Sequence, residues 1–250
     1  MPAQTFNRDN PPAIGVELRG GALAFDGRAV FKDLDLDIPA GQTTCLLGAS
    51  GVGKSSLLRL IAGISPEATA RHLGASDGGP IAGRIAYMDQ PDLLLPWLNV
   101  LANVTLGARL RGEAPDYHRA GDLLARVGLA DEANALPSAL SGGMRQRAAL
   151  ARTLMEDRAV VLMDEPFSAV DALTRLRLQD LAAELLIGRT TLLVTHDPLE
   201  ALRLGHRILV LRGDPAHMST PLEPAGTVPR PADDPALHGL AAGILRDLAA

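Results

Sequence analysis

The chain has 250 residues, of which 47% are hydrophobic and 21% charged, which suits one substantial core and excludes a chain that stays unfolded. Its 24 basic and 29 acidic residues leave a formal net charge of -5, excluding the broad positive surface of a nonspecific nucleic-acid binder. The single cysteine, Cys45, lies in an apolar run and excludes an internal disulfide, so a buried strand residue is expected there.

In chain order, residues 1–14 are polar with Pro11-Pro12 and read as a flexible amino-terminal extension. Ala22 to Phe25 and Leu34 to Ile38 alternate as antiparallel strands around the Asp26-Gly27 turn pair. An apolar strand from Thr43 to Leu47 then leads into a glycine-rich stretch. A helix over Lys54 to Ala62, with Leu57, Leu58 and Ile61 on one face, ends at Gly63. Residues 64–80 carry little pattern and read as loop or irregular edge, followed by a short strand over Ile85 to Met88.

The middle of the chain turns helical. Leu98 to Leu110, Tyr117 to Val127 and Gly142 to Met155 are predicted helices, forming an inserted helical lobe at about 91–158. Ala159 to Met163, Thr190 to Val194 and Ile208 to Leu211 read as further strands, with a helix over 173–186 between the first two. From Arg212 to Asp234 the chain holds five prolines and is not expected to form a regular element, whereas Ala236 to Ala249 can be a terminal helix. The boundaries expected are thus 1–14, a folded domain over 15–212, and a tail with terminal helix over 213–250. No run of about 18 apolar residues is present, and Met1 to Thr5 lack a signal-peptide pattern. A cytoplasmic protein that reaches a membrane only by docking is expected.

The strongest chemical feature is Gly48-Ala49-Ser50-Gly51-Val52-Gly53-Lys54-Ser55, a full phosphate loop between a strand and a helix. Its glycines let consecutive amides face one anion, and the helix adds its positive end. Lys54 is expected on the β and γ phosphates, Ser55 on Mg²⁺, and Ser56 beside them. After a second apolar strand, Asp164-Glu165 offers one carboxylate for the metal ion and one for the attacking water. A carboxylate beside triphosphate is disfavoured as an anion, which suits Glu165 as a base. The adjacent acids could instead open a helix; the phosphate loop favours the catalytic reading.

Leu140-Ser141-Gly142-Gly143-Met144-Arg145-Gln146-Arg147, followed by Ala148 to Arg152 and then Asp164-Glu165, closely resembles the signature of the ATP-binding cassette family. The resemblance covers roughly residues 14–212. It implies an α/β phosphate-loop NTPase core with an amino-terminal antiparallel β subdomain and an inserted helical subdomain. It also implies a head-to-tail dimer in which Ser141, Gly142 and Gly143 of one copy close over ATP held by the other, a second cradle at a helix start. Ser141 would cap that helix as well.

By the same resemblance, Gln90 would touch metal and catalytic water, and His196, in Thr195-His196-Asp197, would contact the γ phosphate beside Glu165. Phe25 would stack on adenine. Asp171, in Ser168-Ala169-Val170-Asp171, would belong to the loop through which paired copies sense each other, with Val170 where leucine is commoner. His72, His118, His206, His217 and His238 show no zinc-like spacing. The short interval between Lys54 and Leu140 leaves no room for the coiled-coil arms of chromosome-maintenance relatives. The absence of a second cassette argues against tandem translation-associated ATPases.

Asp92 to Val100, with Leu93-Leu94-Leu95-Pro96-Trp97, then Asn103-Val104, is similar to the nitrate, sulfonate and taurine importer group. The resemblance implies ATP hydrolysis coupled to translocation, with transmembrane permease subunits and a solute-binding protein as partners. It implies a peripheral place on the cytoplasmic face of the inner membrane and no direct nucleic-acid partner. Within that group, Arg84 to Met88 and Leu193 to His206 resemble subunits for hydroxymethylpyrimidine-like thiamine precursors. That solute is the leading expectation, with nitrate, sulfonate or taurine as alternative. A nucleotide switch acting on DNA or protein partners is the reading outside transport.

Overall fold

The computed structural model describes residues 12–249, so most of the expected amino-terminal extension lies outside the described residues. Among the described residues nine strands form one sheet in the order β4-β1-β2-β9-β8-β3-β7-β6-β5. These are β1 Val16–Phe25, β2 Arg28–Ile38, β3 Thr43–Gly48, β4 His72–Ala75, β5 Ile85–Met88, β6 Val160–Asp164, β7 Thr190–Val194, β8 Arg207–Gly213 and β9 Ala216–Met218. β8, β3, β7, β6 and β5 run parallel, whereas β4, β1 and β2 pair antiparallel.

The parallel strands are apolar on both faces because helices cover both. Cys45 and Leu47 of β3, Val161 and Met163 of β6, and Leu193 of β7 enter one buried cluster. Leu46, Val160, Leu162, Leu192 and Val194 enter the other, as a period of two requires. The second cluster includes Leu57, Leu58 and Ile61 of helix α1, Lys54–Ala62, each 0% exposed. Burying one such side chain stabilises by about 1.5–3 kcal/mol, so this face alone anchors the helix beneath the phosphate loop.

The first cluster takes up the helical insertion and the carboxy-terminal helices. The insertion comprises α2 Val100–Val104, α3 Leu106–Leu110, α4 Tyr117–Arg126 and α5 Gly142–Met155. Beyond it come α6 Ala172–Leu185, α7 Pro198–Leu204 and α8 Pro235–Ala249. The α/β fold expected from the sequence, with antiparallel strands first and helices inserted, is therefore the fold observed.

Three local expectations change. The continuous helix over Leu98 to Leu110 is two short ones, starting after Asn99 and interrupted at Thr105. The buried Asn103 amide donates to the carbonyls of Leu95, Leu98 and Asn99, closing the turn before the first, and at the interruption the Thr105 hydroxyl donates to the Leu101 carbonyl at 2.9 Å, a side-chain competition with regular helix. Weakly patterned residues 64–80 contain β4, held by pairing with β1, and the proline-rich tail contains β9, held by pairing with β8. Tertiary pairing overrides weak local preference in both.

The tail also packs. Arg230, 3% exposed, donates to the carbonyls of Leu202 and Gly205 at 2.8 Å, and Leu237, Ala241 and Ile244 of α8 join the core. Cys45 is 0% exposed, and burial pushes its thiol up.

Candidate functional site

Five helices begin under a side-chain cap: Asn99, Asp116, Ser141, Asp171 and Asp197 each accept a first-turn amide. Helix α1 does not. It starts at Gly53, which has φ 107 and offers no side-chain acceptor. An added Cβ there would also lie 2.8 Å from Val30 Cγ1. The first amides of α1 are thus left for an external acceptor, and their partial positive charge suits an anion.

Lys54 is 7% exposed, and its ammonium donates to the carbonyls of Gly48 at 2.8 Å and Ala49 at 2.9 Å. Burial lowers its proton affinity, while the charges of Glu165 and Asp164 raise it. Phe25, Ala49, Ser50, Gly51 and Val52 line one cleft of about 540 Å³, a size that holds a small organic ligand. Phe25 is 47% exposed at its mouth, as a ring available for stacking must be.

At the end of β6, which β7 separates from β3, Asp164 is 1% exposed. Burial raises its proton affinity, and a hydrogen bond from Ser55 opposes the shift. Its Oδ2 is buried with no hydrogen-bond partner among the described residues. A carboxylate oxygen left open beside a serine hydroxyl is a hard, all-oxygen donor pair that fits Mg²⁺ when phosphate and water complete the shell. Gln90, exposed, follows β5, whose Met88 pairs with Met163, so the chain leaves the sheet beside the end of β6.

Glu165 comes next, and its Oε1 is 3.1 Å from His196 Nδ1. Glu165 lies at φ 49, a region non-glycine residues seldom adopt. Its amide donates to Val194 O at 2.9 Å, which ties the turn after β6 to the end of β7. His196 lies two residues past the end of β7, so adjacent parallel strands deliver both side chains to one place.

Ser141, Gly142, Gly143 and Asp171 line no part of the Phe25 cleft among the described residues. Ser141 is exposed, and its Oγ accepts the Met144 amide at 3.3 Å. A Cβ on Gly143 would lie 2.9 Å from Ala169 O, so α5 starts against the loop after Glu165. Asp171 caps α6 through the Thr174 amide at 3.0 Å, which holds its carboxyl below the usual range.

Some lining residues escaped the sequence reading. Arg28 and Asp214 form an ion pair in the cleft wall, and Leu211, Gly213 and Leu248 complete it. Arg28 adjoins the turn after Phe25 and could have been suspected from that position. No local signal points to Asp214 or Leu248, which pairing of β8 and packing of α8 bring there. Gln146, inside the signature, is 5% exposed and bonded to the Glu165 carbonyl. Leu93 and Trp97 are 57% and 71% exposed, whereas Leu94 between them is 8% exposed, so the importer-like stretch faces outward only in part.

The family model described as ABC transporter matches residues 31–168. The aliphatic sulfonates import ATP-binding protein SsuB of Delftia acidovorans is 46% identical over 96% of this chain and 97% of its own length. A protein of the same description from Pseudomonas savastanoi is 42% identical over 95% and 97%. Among solved structures, a dimeric post-hydrolysis state of the ATP-binding cassette MJ0796 bound to ADP and Pi superposes with TM-score 0.74 at 27% identity, covering 85% of this chain and all of that one.

Proposed function

The chain belongs to the ABC transporter family as an ATP hydrolase, and from that premise we propose that it drives a bacterial importer of aliphatic sulfonates. The sulfonate names of its relatives support that solute over the pyrimidine-type thiamine precursor suggested by Arg84 to Met88 and Leu193 to His206. No helix among the described residues is long and apolar enough to cross a membrane. The permease docks at the cytoplasmic face of the inner membrane on Leu93 and Trp97, a reading supported by their exposure. A solute-binding protein delivers cargo on the far side.

The observation that carries the catalytic reading is Glu165 within 3.1 Å of His196 at the strand ends, beside buried Lys54 and Asp164. ATP lies with adenine against Phe25 and its phosphates in the loop from Gly48 to Ser56. Lys54 exchanges its two carbonyl acceptors for β- and γ-phosphate oxygens, which keeps a buried ammonium compensated. Ser55, Asp164 and Gln90 would hold Mg²⁺, which neutralises phosphate charge when bound. Glu165 takes a proton from water as the water oxygen attacks the γ phosphorus in line with the departing ADP oxygen. His196 orients that water and the γ phosphate. The products are ADP and phosphate.

The arrangement is a head-to-tail dimer, a reading supported by Ser141 to Gly143 lining no part of the cleft that holds Phe25 and the loop. Ser141, Gly142 and Gly143 of each copy cover the other's triphosphate, with Asp171 at the junction. ATP binds better to the closed pair, and closure moves the permease.

Replacing Glu165→Gln should leave ATP binding intact, lower turnover by about a hundredfold or more, and trap a closed dimer. Normal hydrolysis by that variant would overturn the role of Glu165. Reconstitution with the permease and solute-binding protein should give ATP-dependent uptake of alkanesulfonates. Uptake of a hydroxymethylpyrimidine instead would overturn the solute.

A further inference from the structure

Glu165 occupies a left-handed backbone conformation and must be held there, because a side chain crowds its own backbone in that region. Its amide is bound by Val194. Its carbonyl accepts from Gln146 Nε2 at 2.7 Å and from Ser168 Oγ at 3.1 Å. The other end of the same glutamine amide, Oε1, accepts the Ala169 amide at 2.7 Å, and Nε2 reaches Ser168 Oγ at 3.3 Å.

Gln146 is 5% exposed, and its donor faces oxygens while its acceptor faces an N–H, so the amide has one orientation. Buried side-chain amides carry a large cost when unpaired, so a fully paired one is rigid. The backbone on both sides of the loop following Glu165 is thus pinned to a single side chain of α5. We propose that Gln146 is a positioning residue for hydrolysis: it fixes the backbone from which its own copy's Glu165 carboxylate is aimed at water.

The proposal rests on the reading of Glu165 as the base and is separable from it by experiment. Gln146→Met keeps the length of the side chain and removes its hydrogen bonds. The full-length variant should lose about tenfold or more in kcat, as a carboxylate displaced by a fraction of an ångström would. Its KM for ATP should stay within about twofold of the parent.

ATP-driven dimerisation, followed by light scattering on the protein alone, should be retained at the same ATP concentration. In the double variant with Glu165→Gln, turnover should be no slower than with Glu165→Gln alone, since Gln146 then has no carboxylate left to aim. An unchanged kcat overturns the inference, and so does loss of kcat together with dimerisation, which would place the effect at the Ser141 surface or in folding. Slow Glu165→Gln with normal Gln146→Met sinks this inference alone. Normal turnover in Glu165→Gln sinks the reading beneath it.

Discussion

The strand ends around β3, β6 and β7 and the start of helix α5 both present groups suited to phosphate, yet they are built in opposite ways. At the strand ends each charged group has a partner inside the same chain: Lys54 is buried against two carbonyls, Asp164 beside Ser55 with one oxygen left open, and Glu165 against His196. At α5, Ser141 is exposed and its hydroxyl accepts from its own helix, while Gly143 fits against Ala169. The first region can hold a nucleotide within one chain. The second is rigidly mounted and faces outward, which is how half of a shared site looks.

The largest effect should separate these regions. Lys54→Ala removes the ammonium that interacts with Asp164 and Glu165 and should abolish both ATP binding and hydrolysis, read by nucleotide fluorescence and phosphate release. Ser141→Arg should spare binding to the separate chain but reduce hydrolysis by about a hundredfold, because a bulky cation blocks closure over the partner's phosphates. If Ser141→Arg lost ATP binding in the monomer as well, the two regions would not be halves of different sites.

Phe25→Ala sharpens the strand-end region from its base side. Stacking beyond simple burial is worth about 0.5–1.5 kcal/mol, so KM for ATP should rise roughly three- to tenfold with kcat nearly unchanged. Equal KM values in the two proteins would remove the ring from the nucleotide.

The smallest effect concerns Glu200 of α7, 6% exposed behind His196 and pushed up to about 7 by burial. Gln179 donates to it at 3.1 Å, and Thr195, Asp197 and Arg175 face it. Its folded value lies above the ordinary 4.5. The folded chain therefore keeps a proton that the unfolded chain releases, and stability is highest at low pH and falls as pH rises through about 7. Glu200→Gln should melt a few degrees higher than the parent at alkaline pH, with the gap closing toward pH 4.5. A gap that does not change with pH would remove Glu200 as its cause.

By itself the sequence determined whatever depends on neighbouring residues. The phosphate loop with its strand and helix, the Ser141-capped start of α5, the paired acids after β6 and the alternating apolar strands are all short-range patterns, because backbone curvature and side-chain direction repeat over a few residues. The folded chain alone decided what distant segments share. β4 and β9 exist through pairing, and Leu248 reaches the cleft on a terminal helix. His196 meets Glu165 because β6 and β7 lie side by side. Gln146 meets the carbonyl of Glu165 because α5 packs beneath that turn, and no rule of spacing along a chain encodes a hydrogen bond between residues whose approach depends on the whole core being assembled.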